Sequence, residues 1–399
     1  MFRFIHTSDW HLGQNFYGYD RSEEQRDFLR QLADIVREQE PDALLVSGDI
    51  FHTAAPSSAA VSLYVNAMID IHEACPGMSI IVIAGNHDSA ARLESDSRLW
   101  KYARVNVLGG IARDADGHAD VGRHLIKVGD KGIVAAVPFA YPASFPPVKG
   151  HDTHRDQRMP EFFQALLDQA QAINHDNLPV VLMAHLAVSH SDITGHDPNL
   201  MMEYVEIGTL GEGYDYAALG HIHRPQRLDE HTFYCGTPVP VSFDEQCEHA
   251  VSIVEIDAHE ALPRLETKAI KNLKPLHTLP ASEPIEFDQA LTLLENRPQG
   301  ENAYIRLNVL ADKGLPLDAN ERAAQLASQQ SCYFCEIKKT RLDTATRQTR
   351  QMTVEELSKA SPLEVANRHY TEVLHREMTA EEKEMFNEVY RLVMEDKSK

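Results

Sequence analysis

The sequence predicts an α/β fold in which two packed sheets are flanked by helices, and three observations predict it. Strands and helices alternate from Phe2 to about Asp88. Beyond Gly132, apolar strands follow one another with a single long helix among them. A His, Asp or Asn stands at or just past the carboxyl end of each of five apolar strands, the edge at which α/β sheets bind ligands.

In chain order, Phe2 to His6 reads as a short strand. Ser22-Glu23-Glu24-Gln25 has the form of a capping box, and behind it Phe28, Leu29, Leu32, Ile35 and Val36 fall at helical spacing until Pro41 stops the helix. Ala43 to Val46 is a buried strand. A second helix covers about Ser57 to Ala74; its only polar line is Ser62, Asn66, Asp70 and Glu73. One apolar face suffices to pack on a sheet, so this helix needs a second cover, either another subunit or a loop of its own chain. Ser79 to Ala84 is the third strand. Gly132 to Val137, Pro179 to Ala184, Ala217 to Leu219 and Val251 to Ile256 are later strands, with a helix over Pro160 to Ile173.

Near residues 270–284 the texture changes, with Pro275, Pro280 and Pro284 close together. An αβαβ unit follows: helix Phe287 to Asn296, strand Tyr304 to Leu310, helix Asp318 to Gln329, strand Tyr333 to Ile337. Lys338, Lys339, Arg341, Arg347 and Arg350 then cluster with Asp343 the only acid among them. That run is either a phosphate contact or a solvated face. From Thr353 the tail reads as short amphipathic helices, with Ser361-Pro362-Leu363-Glu364 and Thr379-Ala380-Glu381-Glu382 as starts. Met385, Phe386, Val389, Leu392 and Val393 form one apolar stripe, and a helix this short must dock on something to persist. The expected division is 1–275, 276–345 and 346–399.

Composition sets bounds. The 399 residues are 43% apolar, enough for a sizeable core. No run of about 18 apolar residues predicts a membrane span, and the apolar start is too short for a signal peptide. Five scattered Cys fit a reducing, cytoplasmic location; Cys332 and Cys335 read as two strand residues. The net charge of -22 argues against a general polyanion binder, although bound divalent cations invert the local field.

The strand-end residues are Asp9-Trp10-His11, Gly48-Asp49, Gly85-Asn86-His87-Asp88, His185 and Gly220-His221-Ile222-His223. Carboxylate and amide oxygens with imidazole nitrogens suit a pair of divalent metals, not a thiolate site. Residues i and i+2 of extended backbone project the same way, so Asp9 with His11, and His221 with His223, each approach one metal region. The Asp49 carboxylate can bridge two ions about 3.5–4 Å apart. One His alone among 21 carries little meaning; the ordered set does.

That order of motifs resembles the signature of the calcineurin-like metallophosphoesterases. Within them, His6-Thr7-Ser8-Asp9-Trp10-His11-Leu12-Gly13, Gly48-Asp49-Ile50-Phe51, Ala84-Gly85-Asn86-His87-Asp88, Ala218-Leu219-Gly220-His221-Ile222-His223 and Tyr234-Cys235-Gly236-Thr237-Pro238 resemble the SbcD branch. The resemblance implies a metallophosphoesterase sandwich over 1–275, an α/β DNA-capping domain over 276–345 and C-terminal helices over 346–399. Asp9, His11, Asp49 and His223 would hold one ion, and Asp49, Asn86, His185 and His221 the other, manganese being the expected metal. His87 would be the general acid, Asp88 would orient it, and His52 would contact the scissile phosphate. The activity implied is exonuclease on duplex DNA and endonuclease on single strands and hairpins, in DNA end processing, replication and recombination. The implied assembly is a homodimer that forms a heterotetramer with an SbcC-type coiled-coil ATPase. Ala184 departs from the family, which carries Gly before the His.

Two other readings compete. A small-molecule phosphodiesterase or protein phosphatase would share the metal core, but the phosphatase branch carries an Arg soon after Gly-Asp, where Ile50, Phe51, His52 and Thr53 stand here. An inert structural subunit would not retain all seven presumed ligands.

Overall fold

Phe2–Thr7 (β1) is the central strand of the first sheet because nearly every residue in it is buried. It pairs in parallel with Ala43–Ser47 (β2), which pairs with Ser79–Ile83 (β3), and that with Val105–Leu108 (β4). The second sheet runs through Leu125–Val128 (β5), Gly132–Val137 (β6), Val180–His185 (β7), Tyr216–Gly220 (β8), Gln226–Arg227 (β9) and Thr232–Tyr234 (β10), in the order β9-β10-β8-β7-β6-β5. Ala250–Ile256 (β11) returns antiparallel to β1, and Arg264–Ala269 (β12) closes that edge. The computed structural model describes residues 1–150, 154–195, 203–298, 300–311, 314–340, 361–367 and 378–396.

The two sheets face each other through Phe2, Phe4, Leu45, Ile81, Ile83, Val134, Val181, Met183, Tyr216 and Val254, all at 0% exposure. Near-continuous apolar strands follow from this, since both faces of each sheet are covered. The outer face of the first sheet carries Ser22–Gln39 (α1) and Ser58–Ala74 (α2). The outer face of the second carries Arg158–Ile173 (α3), through Phe162, Phe163, Leu166 and Leu167. The expected two-sheet sandwich flanked by helices is what the chain forms.

One local expectation changes. Ser22 is not an N-cap; the Asp20 carboxylate takes the Ser22 N–H at 3.0 Å and its hydroxyl at 2.8 Å. Gln25 therefore does not reach back to the helix start. It accepts the Gly13 N–H and donates to the His11 carbonyl, both at 3.0 Å. Helix α2 is capped by Ser57 and buries one face, while Val61 and Ile69 on the other are 39% and 45% exposed.

The region after Ile270 is a βαβαβ unit rather than αβαβ. Leu276–Leu279 (β13), short and half-buried, precedes Phe287–Glu295 (α4), Tyr304–Leu310 (β14), Ala319–Gln329 (α5) and Tyr333–Thr340 (β15), and the three strands are parallel. Its own core is Phe287, Ala290, Leu294, Ile305, Leu307, Val309, Ala323 and Ala327. Polar side chains seat it on the sandwich. Tyr304 donates to Glu24 at 2.8 Å, Glu24 pairs with buried Arg21, and Arg306 pairs with Asp244 at 2.8 Å. Breaking one partner of a buried pair such as Arg21–Glu24 costs about 3–5 kcal/mol. Cys332 and Cys335 are free thiols; Cys335 lies in β15 as expected, whereas Cys332 immediately precedes that strand.

The chain divides into two units, Met1–Arg341 and Leu342–Lys399. In the second, Ala380–Asp396 (α6) begins with a reciprocal cap: Thr379 N–H to Glu382 at 2.8 Å, and Glu382 N–H to the Thr379 hydroxyl at 3.3 Å. Ser361 and Glu364 make the same exchange. Met385 and Val389 are 66% and 55% exposed. Arg341, Asp343, Arg347 and Arg350 of the basic run lie outside the described residues.

Candidate metal centre

Every motif sits at one rim because both sheets point the carboxyl ends of their parallel strands the same way. Backbone pairing continues past the strand ends. Asp9 N–H bonds the Gly48 carbonyl at 2.9 Å, His11 N–H the Asp49 carbonyl at 3.0 Å, and Leu12 N–H the Ile50 carbonyl at 2.9 Å. Across the sandwich, the Ser47 hydroxyl donates to the Ala218 carbonyl at 2.9 Å, and Phe139 N–H to the Ala84 carbonyl at 2.9 Å. Asp9, His11, Asp49 and His221 all hold positive φ, from 45° to 100°, a conformation that non-glycine residues adopt at a cost.

Three glycines make the approach possible, for two reasons. Gly48 has φ +91°, and a Cβ there would stand 2.2 Å from His185 Nδ1. Gly85 and Gly220 have ordinary φ; a Cβ would lie 2.0 Å from Asp49 Oδ1 at the first and 1.9 Å from the Ser47 carbonyl oxygen at the second. Turning explains only Gly48; crowding explains all three.

The side chains gather into two donor sets, Asp9-His11-His223 and Asp49-His185-His221. Asn86 Oδ1 joins the second, 3.1 Å from His185 Nε2 and 2.8 Å from His221 Nδ1. His11 Nε2 and His223 Nε2 are 3.2 Å apart. Asp49 Oδ1 takes the His87 N–H at 2.9 Å, which leaves Oδ2 facing His185 Nε2 at 3.5 Å and His11 Nε2 at 3.8 Å. One carboxylate oxygen therefore looks into both sets, and all seven expected ligands lie at the rim.

Outer partners fix the tautomers. His185 Nδ1 bonds the Ser47 carbonyl at 2.7 Å, and a carbonyl only accepts, so Nδ1 carries hydrogen. Its Nε2 then points at an amide oxygen and a carboxylate oxygen, a convergence of acceptors that a cation satisfies. His223 Nδ1 likewise meets Glu245 Oε1 at 3.1 Å. Such outer bonds orient metal-binding imidazoles. The donor set, imidazole with carboxylate and amide oxygen, fits divalent transition metals.

The electrostatics agree. Burial alone would raise the Asp49 carboxyl, but facing His185 with His11 and His87 holds it well below the usual carboxylate range. Burial alone would lower His185, but Asp49 outweighs it and raises the imidazole to about 9. Burial pushes His11 well below the ordinary imidazole value and raises the Asp9 carboxyl.

His87 and His52 stand beside the ligands. The His87 ring lies 5.0 Å from His11 and stacks at 21° on His52 with centroids 5.7 Å apart. The expected pairing of Asp88 with His87 is corrected. The Asp88 carboxylate accepts the N–H groups of Gly85, Ile50 and Phe51 at 2.8, 3.0 and 2.9 Å, locking the second and third motif loops together. The His87 ring is held instead by its Nδ1 donating to the His52 carbonyl at 2.8 Å.

Comparison with known proteins adds sequence kinship to this geometry. Residues 2–225 match the calcineurin-like phosphoesterase family. The chain is 32% identical to the SbcD component of the SbcCD nuclease of Rhodobacter capsulatus over 331 residues, 78% of this chain and 81% of that one. The chain belongs to the calcineurin-like phosphoesterases, in the SbcD branch. The SbcD protein of Escherichia coli K12 is 32% identical over 61% of this chain and 62% of its own length, and that of Bacillus subtilis 29% over 64% and 66%. Residues 272–373 match the type 5 capsule protein repressor C-terminal domain family, which takes in the βαβαβ unit.

As a calcineurin-like phosphoesterase the chain is a metal-dependent hydrolase, and its divalent ions supply Lewis acidity and an activated water when bound. Sequence reasoning missed Glu245 and Gln25, which hold the His223 ring and the His11 loop. Glu245 lies in no motif, and Gln25 lies in one that pointed to helix capping instead. Asp114, Asp116 and His118 also cluster, but on a surface turn where the Asp114 carboxylate takes two backbone N–H groups at 2.9 Å. Among the described residues no helix is long and apolar enough to cross a membrane.

Proposed function

We propose that the chain is the nuclease subunit of an SbcCD-type complex, hydrolysing phosphodiester bonds in DNA with a pair of divalent cations, Mn²⁺ being the working metal. The observation that carries it is Asp49 Oδ2, which lies within 3.8 Å of a nitrogen from each donor set. Asp9, His11, Asp49 and His223 hold one ion; Asp49, Asn86, His185 and His221 hold the other. His87, at the edge of the set, delivers a proton to the departing sugar oxygen. Its ring is aimed by the His52 carbonyl, and Nδ1, bonded there, leaves Nε2 as the atom that meets substrate. The His52 ring contacts the phosphate from beside it, and Asp88 holds the two loops in register.

The assembly reading follows from unpartnered surfaces. The exposed apolar residues of α2 and the neighbouring Leu99 and Tyr102, 68% and 91% exposed, support a homodimer. The exposed Met385 and Val389 of α6 support docking on an SbcC-type coiled-coil ATPase, which completes a heterotetramer. Residues 276–345 act as a cap that helps hold DNA, and the net charge of -22 leaves cations and partner subunits to offset phosphate repulsion.

Incubation of the purified chain with end-labelled duplex and hairpin DNA tests this, with and without Mn²⁺. Mn²⁺-dependent degradation abolished by EDTA is the expected result. Hydrolysis of cyclic nucleotides or phosphopeptides with intact DNA left over would favour the small-molecule or phosphatase reading instead.

A further inference from the structure

We infer that Phe139 and Tyr141 form a stacking subsite for one unpaired nucleobase beside the bond that is cut. The inference rests on the nuclease reading and names the part of the substrate that this wall receives. A cavity of about 160 Å³ opens directly from the ligand set. Asn86, His87 and His221 line it together with Phe139, Tyr141 and Met159. Any substrate whose reacting phosphate reaches the ligands presents a flanking group to this space.

The chemistry of the wall selects which flanking group. No Lys or Arg is among the described residues lining the cavity, and its rim carries Glu203. Away from the ligand set, a second phosphate would meet no Lys or Arg among the described lining residues and would face the Glu203 carboxylate, so that part of the cavity suits the uncharged part of a nucleotide. The Phe139 ring is tilted 30° from His221 at 6.4 Å and meets Tyr141 edge-on at 5.1 Å. Its backbone is tied to the Asn86 loop through the Ala84 carbonyl, so the wall keeps its distance from the ligands. Tyr141 is 59% exposed. A single exposed Tyr is ordinary; one that extends the half-buried ring of Phe139 at the mouth of the reacting site offers a ring face to substrate.

Stacking on a side chain requires a base whose own faces are free. In an intact duplex they are covered by neighbouring pairs, so the base must first leave the stack. The subsite therefore takes a frayed end, a loop or a single strand.

The test uses the full chain with Mn²⁺ and a short single strand holding one scissile phosphodiester between methylphosphonate linkages. Tyr141→Ala should lower kcat/KM about tenfold, within the range of base–aromatic stacking, and Tyr141→Phe should retain it. On strands lacking the base on one or other side of the scissile bond, wild type should fall to the Tyr141→Ala level for one of the two, and the variant should lose nothing further there. An equal loss from Tyr141→Ala on intact and both abasic strands, or no loss on the intact strand, overturns the subsite while leaving the nuclease reading in place. Wild type that hydrolyses bis(p-nitrophenyl) phosphate but leaves the intact strand uncut overturns both.

Discussion

Glu245 Oε1 lies 3.1 Å from His223 Nδ1, and the opposite nitrogen of the same ring lies 3.2 Å from His11 Nε2. Burial works against charge on His223, and Glu245 reverses that and raises the imidazole. The carboxylate thus fixes which nitrogen of His223 faces the ligand set. Its other oxygen takes the Thr237 hydroxyl at 2.7 Å, and the adjacent Asp244 is held by Arg306 of the βαβαβ unit at 2.8 Å. The βαβαβ region is thereby tied to one donor set through two consecutive residues.

Glu245→Ala should weaken one of the two metal sites and spare the other. Loss of such an outer bond typically costs about 10–100-fold in metal affinity. Calorimetric titration with Mn²⁺ should resolve one weakened site beside one that keeps its affinity. Equal weakening of both would mean that Glu245 acts on folding rather than on His223.

His87→Ala should retain metal and DNA binding and lose cleavage by about 10²–10⁴-fold, the usual worth of general acid catalysis. Its ring is not needed to hold Asp49, because the His87 contact with that carboxylate runs through the backbone N–H. A His87→Ala enzyme that cuts DNA at the wild-type rate removes the assignment.

Metal affinity should rise with pH. The His185 imidazole, ordinarily near 6.5, is raised to about 9 in the folded, metal-free site. Below that pH the ring carries a proton that must leave before Nε2 can take a cation, so binding releases protons and strengthens as pH climbs towards about 9. Calorimetry in buffers of different ionisation enthalpy measures the release. An affinity that stays flat between neutral pH and about 9 contradicts this role for His185.

Gly85→Ala should cost both stability and metal binding, since the new methyl would stand 2.0 Å from Asp49 Oδ1 and 2.3 Å from its amide nitrogen. Overpacking of this kind costs about 1–3 kcal/mol. Gly77→Ala, with nothing within 4 Å, is the matched control and should fall within about 0.5 kcal/mol of wild type. Thermal melts of the metal-free proteins compare the two.

Much of this was legible from residue order, because strand-end ligands announce themselves: an apolar run, a glycine before Asp49, Asn86 and His221, then Asp, Asn or His. The buried strands around Ile5, Leu45, Ile81, Val134, Leu182 and Ala218 were legible for the same reason. Edge strands were not. Arg264–Ala269 is almost wholly exposed, so no buried face imposes alternation on it, and Leu276–Leu279 is short and half-buried between prolines. Ser22 to Gln25 misled because a capping box is defined by spacing alone; the Asp20 carboxylate reached the helix start first, and Gln25 was free to hold the His11 loop. Asp88 misled because neighbours in sequence suggest a side-chain pair, whereas its three partners are backbone N–H groups brought together by the fold.

The most direct test is Mn²⁺ stoichiometry in wild type and Asp49→Ala. A shared carboxylate oxygen predicts two ions per wild-type chain, about 3.5–4 Å apart in an anomalous difference map, and loss of both in the variant. A variant that keeps one ion at full affinity, or a wild-type chain that binds its ions at separate surfaces, would contradict a centre bridged by Asp49.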